Sequence, residues 1–133
     1  KNLWVSINII LGLIYWRPGT IYDSYADNLA DVIETIINEH GDLPVFIGGD
    51  FNSRISDLNQ MPAELSQGFP FYSCRDSLDL KLNHGGGNLV NLIEDNGMTV
   101  FNGRFPSDFP AQFTFISQQG SSVLILSGVI SLV

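Results

Sequence analysis

The sequence predicts an α/β fold, and three observations carry that expectation. Val45, Phe46 and Ile47 form a short apolar run of the kind that makes a buried strand. Leu3 to Tyr15 is a longer run, rich in Val and Ile. Between them, Ser24 to about His40 places apolar residues at helical spacing. Strand, helix, strand in this order predicts parallel strands joined by a crossover.

The chain has 133 residues, enough for one modest domain over 1–133 with its own core. Hydrophobic residues make up 44% and charged residues 15%, which excludes a disordered chain. A single cysteine, Cys74, excludes an internal disulfide and points to a reducing, intracellular compartment, nuclear or cytoplasmic. The net charge is −8, and only six residues are basic: Lys1, Arg17, Arg54, Arg75, Lys81 and Arg104. That is a poor surface for a polyanion. No membrane partner is expected, because no apolar stretch is long enough to span a bilayer. The run behind Lys1 imitates a signal peptide, but Asn8 interrupts it and no small-residue cleavage site follows.

In the first run, Val5, Ile7 and Ile9 alternate with Ser6 and Asn8, so one long strand is expected, or two around Gly12. Pro18 stops it. In the helix, Tyr25, Leu29, Val32, Ile33, Ile36 and Ile37 fall on one face. Asp23 or Ser24 is the expected cap and Gly41 the stop. The acids Asp23, Asp27, Asp31, Glu34 and Glu39 read as its solvated side.

Ser53 to about Asp79 has no period and contains Pro62, Gly68 and Pro70. A long loop is expected there, with one helical turn near Pro62 to Leu65. His84 beside Gly85, Gly86 and Gly87 reads as an exposed loop histidine. The glycines are not a phosphate loop, since no Lys-Ser/Thr follows them. Asn88 to Asn96 is a second expected helix with Leu89, Leu92 and Ile93 buried, closed by Gly97. Met98 to Phe101 reads as a short strand, Gln118 to Ser121 as a hairpin turn, and Ser122 to Ile130 as the last strand.

The stretch that carries chemistry is Gly48-Gly49-Asp50-Phe51-Asn52. Two glycines end the strand and permit close backbone approach. On an extended backbone Asp50 and Asn52 point the same way, and Phe51 turns back to pack. The bland alternative is a strand followed by an ordinary turn. Tyr15 ends the preceding strand, where an amphipathic core tyrosine is the bland alternative.

The string Gly-Gly-Asp-Phe-Asn resembles the signature of the endonuclease/exonuclease/phosphatase superfamily, in particular the apurinic-type endonuclease of non-LTR retrotransposons. Tyr15-Trp16-Arg17-Pro18, Arg75 to Asp79, Asn102-Gly103-Arg104 and Phe113-Thr114-Phe115 match further segments, so the resemblance runs from Trp4 to Val123. It implies a two-sheet α/β sandwich of the DNase I-like type, here incomplete, with N-terminal strands and the C-terminal end missing. It implies a Mg²⁺-dependent (or Mn²⁺-dependent) hydrolase acting on DNA, with a reverse transcriptase domain in a full-length parent polyprotein. Asp50 would polarise the attacking water, Asn52 would orient it and contact the phosphate, and Tyr15 would sit beside the phosphate.

Three departures temper that expectation. The part of the family that carries the metal-anchoring Glu does not match within this chain. Ile125 stands where the family has a catalytic Asp, and the closing Ser-Asp-His is absent, with neither His40 nor His84 in its place. Codons allowed for Leu124 to Ser131, read one frame over, restore Asp-Phe-Val-Trp-Cys-Asn-Leu. A frameshift at Leu124 is therefore expected, and the last ten residues should fit the fold poorly. The favoured reading is an endonuclease domain, truncated and inactive alone. A superfamily phosphatase or phospholipase and a non-catalytic remnant or binding module are the alternatives.

Overall fold

A computed structural model describes residues 7–19, 22–41, 43–118, 120–122 and 126–128. It shows a small mixed α/β arrangement. The first strand, β1 (Ile10–Tyr15), leads into helix α1 (Tyr22–His40) and then strand β2 (Val45–Asp50). β1 and β2 are parallel and in register from Ile10 opposite Val45 to Tyr15 opposite Asp50, as the crossover requires. A second helix, α2 (His84–Asp95), precedes the hairpin of β3 (Phe115–Ser117) and β4 (Gly120–Ser122). The last strand, β5 (Leu126–Gly128), pairs antiparallel with β2, giving the sheet order β1-β2-β5.

One face of the sheet is closed by the helices. Val45 and Ile47 from β2 are buried with Leu29 and Ile33 of α1 and Leu89, Val90, Leu92 and Ile93 of α2. Ile10, Ile14, Tyr25 and Ile36 pack around them. The buried stripe of α1 is narrower than the sequence suggests, because Val32 and Ile37 are exposed. No helix among the described residues is long and apolar enough to cross a membrane.

Several expectations need correction. The strand expected over Leu3 to Tyr15 begins at Ile10, with 7–9 outside it and 1–6 outside the described residues. Of the two readings at Gly12 the unbroken strand holds, and a Cβ there would lie 3.5 Å from Ile47. α1 begins at Tyr22, so Asp23 and Ser24 lie inside its first turn instead of capping it. α2 begins at His84, four residues early, and the three glycines form its first turn. Asn83 explains the early start: its Oδ1 accepts from Gly86 N–H at 2.7 Å and from Arg54 N–H at 3.0 Å. A Cβ on Gly86 would sit 1.8 Å from the Arg54 carbonyl oxygen, so tertiary contact overrides glycine's poor helix propensity.

Met98 to Phe101 is not a strand, although Met98 and Val100 are buried. Side chains replace the missing ladder. Val100 N–H donates to Asn59 Oδ1 at 2.7 Å, and Arg104 Nε donates to the Val100 carbonyl at 2.7 Å. The long loop does carry one short 3-10 turn, at Ala63–Ser66. The β3–β4 hairpin turns between Ser117 and Gly120, within the turn expected from Gln118 to Ser121, but Gly120 and Ser121 lie in β4. Of the strand expected over Ser122 to Ile130, Ser122 belongs to β4 and Leu126–Gly128 to β5. Leu124 and Ile125 lie outside the described residues, as do 129–133. Of the ten residues expected to fit poorly, Leu126–Gly128 do pair with β2.

Candidate functional site

The C-terminal ends of β1 and β2 bring the candidate residues together. Tyr15 and Asp50 are the last residues of their strands and register partners across the parallel ladder. Gly49 makes the close approach possible. Its φ is +144°, and a Cβ there would lie 1.9 Å from the Ile14 carbonyl oxygen. Trp16 N–H extends the pairing one step by donating to the Asp50 carbonyl at 2.8 Å.

Beyond Asp50 the backbone turns. Asn52 has φ +46° and is not extended, so Asp50 and Asn52 are not delivered as an alternating pair on one strand face. Instead Asn52 N–H donates to Asp50 Oδ1 at 2.9 Å, closing an Asx-type turn. The Asn52 side chain reaches back to β1, its Nδ2 donating to the Trp16 carbonyl at 2.5 Å. Phe51 is buried, as expected, and meets the Trp16 ring edge-on at 5.1 Å between centroids. Trp16 in turn stacks on Tyr25 of α1 at 5.9 Å. Asp50 and Asn52 are half-buried, and Tyr15 is 66% exposed.

The loop after Asn52 is fixed by groups whose part the sequence did not reveal. Arg54 clasps Asp79 with Nε and Nη2, at 2.9 Å to Oδ2 and 2.6 Å to Oδ1, and Asp79 is buried. Arg75 donates to the carbonyls of Asn102, Ser56 and Leu58. Arg104, with no exposure, donates to the carbonyls of Val100, Tyr72, Ser73 and Asn59. Burial pulls both guanidinium pKa values down to about 10, aided for Arg75 by the neighbouring Arg104 charge. Both stay charged at neutral pH. Arg54, Arg75 and Arg104 are half of the chain's six basic residues. Their guanidinium groups are engaged by the fold, which deepens the shortage of cations for a polyanion.

A Mg²⁺ ion bound in this way takes one or two carboxylates, with phosphate oxygens and water completing its shell. Among the described residues, no three His, Cys, Asp or Glu side chains gather to hold a metal ion. Asp50 is one carboxylate, and its Oδ1 already accepts from Asn52. Of Tyr15, Asp50 and Asn52, Asp50 is the one residue with a carboxylate to offer such an ion. His84 is exposed at the start of α2, with Nε2 3.4 Å from Asp23 Oδ1. A cleft of about 380 Å³ opens between α1 and α2, lined by Asp23, Asp27, Asp95 and three asparagines. None of Tyr15, Asp50 or Asn52 lines it.

Compared with protein-family models, with curated proteins and with solved structures, the chain gives no significant match to any of them.

Proposed function

We propose that this chain carries part of the active site of a retroelement-type DNA endonuclease of the endonuclease/exonuclease/phosphatase superfamily, and that it is inactive alone. Its sheet and helices would then be a portion of a DNase I-like sandwich. The observation that carries the proposal is the register of Tyr15 with Asp50 at the C-terminal edge of two parallel strands, the edge where ligands bind in α/β sheets. The strings around these residues supply the rest of the support.

At this edge the Asp50 carboxylate has the chemistry to take a proton from water, and its Asx turn fixes its direction. Asn52, tied to Trp16, is held beside it as an orienting group. Tyr15 offers an exposed hydroxyl able to donate to a phosphate oxygen. In the family a divalent Mg²⁺ or Mn²⁺ ion supplies charge neutralisation. The carboxylate it needs has no counterpart among the residues gathered here, which is why the chain alone is proposed to be inactive.

A second reading, a non-catalytic remnant, is favoured by one observation. The Arg54, Arg75 and Arg104 guanidiniums are occupied inside the fold. Plasmid nicking in Mg²⁺ separates the two. The 133-residue chain should stay at background. The same chain fused behind the N-terminal half of an active retroelement endonuclease, with that enzyme's closing segment in place of residues 124–133, should nick supercoiled plasmid. A soluble, folded fusion without activity would support the remnant. A gel shift that persists in EDTA would identify a binding module.

A further inference from the structure

We propose that Asp79 is a positioning residue for the strand end that carries Asp50 and Asn52, acting through Arg54. The inference rests on the endonuclease reading of that strand end. Arg54 lies two residues past Asn52 and is held at its backbone and at its side chain. Its N–H donates to Asn83 Oδ1 at 3.0 Å, and its carbonyl accepts from Asn83 N–H at 3.1 Å. Its guanidinium grips both carboxylate oxygens of Asp79, with Nε 2.9 Å from Oδ2 and Nη2 2.6 Å from Oδ1. Asp79 Oδ1 also accepts from Lys81 N–H at 3.2 Å, and Asp79 N–H donates to Ser77 Oγ at 3.1 Å. The carboxylate is thus fixed by its own loop before it fixes the arginine.

The grip reaches Asn52 because the chain between has little slack. Ser53 is buried, and its Oγ donates to the Phe51 carbonyl at 2.9 Å. Asn52 sits at φ +46°. A residue in the left-handed region keeps that conformation when its surroundings over-determine it. One flank is fixed by β1, through the bond from Asn52 Nδ2 to the Trp16 carbonyl. The Arg54 clasp fixes the other. Asn83 joins the clasp to α2, since its Oδ1 also accepts from Gly86 N–H at 2.7 Å.

The form of the clasp points to geometry more than to stability. The Asp79 side chain is 5% exposed and that of Arg54 27%. Taking two charges out of water cancels much of their attraction, and an apolar pair of similar size often holds a fold as well. What an apolar pair lacks is direction. A planar guanidinium forked onto a carboxylate fixes both distance and angle. The neighbouring strand end is where such precision matters, because a small displacement of a group that orients water costs turnover steeply.

The test replaces the pair with Arg54→Leu and Asp79→Leu together. In the 133-residue chain the thermal midpoint should stay within a few degrees of the parent. Backbone amide exchange at Asn52 should rise at least about tenfold, with Val100, held by Asn59 Oδ1, unchanged. In the fusion carrying the family's flanking segments, kcat for Mg²⁺-dependent nicking should fall at least about tenfold, with KM within about twofold of the parent. Arg54→Lys keeps the charge without the fork and should lose turnover in the same way. Asp79→Asn keeps the shape of the side chain and is the second variant should the leucine pair unfold, with the same expected directions. Unchanged exchange at Asn52 in a folded variant would overturn the proposal. So would full kcat in the leucine pair or in Arg54→Lys where Asp50→Ala abolishes nicking by the same fusion, a result that leaves the endonuclease reading standing. Nicking indifferent to Asp50→Ala would sink that reading and the proposal with it.

Discussion

Asn52 holds Trp16. Its side-chain N–H donates to the Trp16 carbonyl at 2.5 Å, while the Trp16 N–H donates to the Asp50 carbonyl at 2.8 Å. The two bonds fasten the exit of β1 to the exit of β2, and they do so with Asn52 at φ +46°. Asparagine is one of the few side-chain-bearing residues that enters this region readily. Asn52→Ala should therefore lose both the tie and the tolerated backbone, costing about 2–3 kcal/mol. Asn52→Gly loses the tie alone and should cost roughly 1 kcal/mol less. Urea unfolding of the two variants checks the order, and equal losses would show that the backbone conformation contributes nothing.

Gly49 sets how near β2 can lie to β1. A methyl group there would meet the Ile14 carbonyl at 1.9 Å, with φ at +144°. Gly49→Ala should destabilise the chain by about 2–4 kcal/mol, more than Gly48→Ala. Thermal unfolding of the two single variants gives the comparison.

Arg104 is a buried cation that serves backbone carbonyls, with its nearest loop partners at Asn59, Tyr72 and Ser73. Removing it takes the donor away from the buried Asn59 carbonyl and from the part-buried Tyr72 and Ser73 carbonyls. Arg104→Ala should cost about 3–5 kcal/mol, a large share of a small domain's stability. Amide hydrogen exchange should rise first at Val100 and Tyr72, whose N–H groups donate to Asn59 Oδ1 and to the Arg104 carbonyl. An unchanged exchange pattern would contradict the clamp.

Regular periodicity and simple chemistry were legible in the sequence. The parallel strand pair, the crossover helix, the burial of Phe51 and the hairpin turn all follow from local patterns. Contacts between distant segments were not legible. The start of α2 depends on Asn83 meeting Arg54, 29 residues away. The irregular path of 98–101 depends on Asn59 and Arg104 supplying what a neighbouring strand would otherwise supply. Asp50 and Asn52 were legible as a pair, but their geometry was not. An Asx turn and an extended strand end use the same residue types, and only the reach of Asn52 to Trp16 decides between them. The arginines gave one signal that could have been used. In a chain with six basic residues, Arg104 sits between Gly103 and Phe105-Pro106, where a solvated cation has little reason to be, while Arg75, followed by Asp76, carries no such signal.

The nucleotide sequence of the locus tests the frameshift at Leu124. The shifted frame over codons 124–130 should encode Asp, then Trp three codons later, with Ser-Asp-His downstream. Absence of those codons would leave ordinary drift as the explanation for Ile125.

The most direct measurement of the central claim is the nicking rate of the fusion that carries the family's N-terminal half and closing segment on either side of this chain, with and without Asp50→Ala. If Asp50 activates the attacking water, the substitution should lower Mg²⁺-dependent nicking by at least about a hundredfold while the fusion remains folded. Nicking that continues at the unsubstituted rate in Asp50→Ala would contradict the assignment of this strand end as the active site.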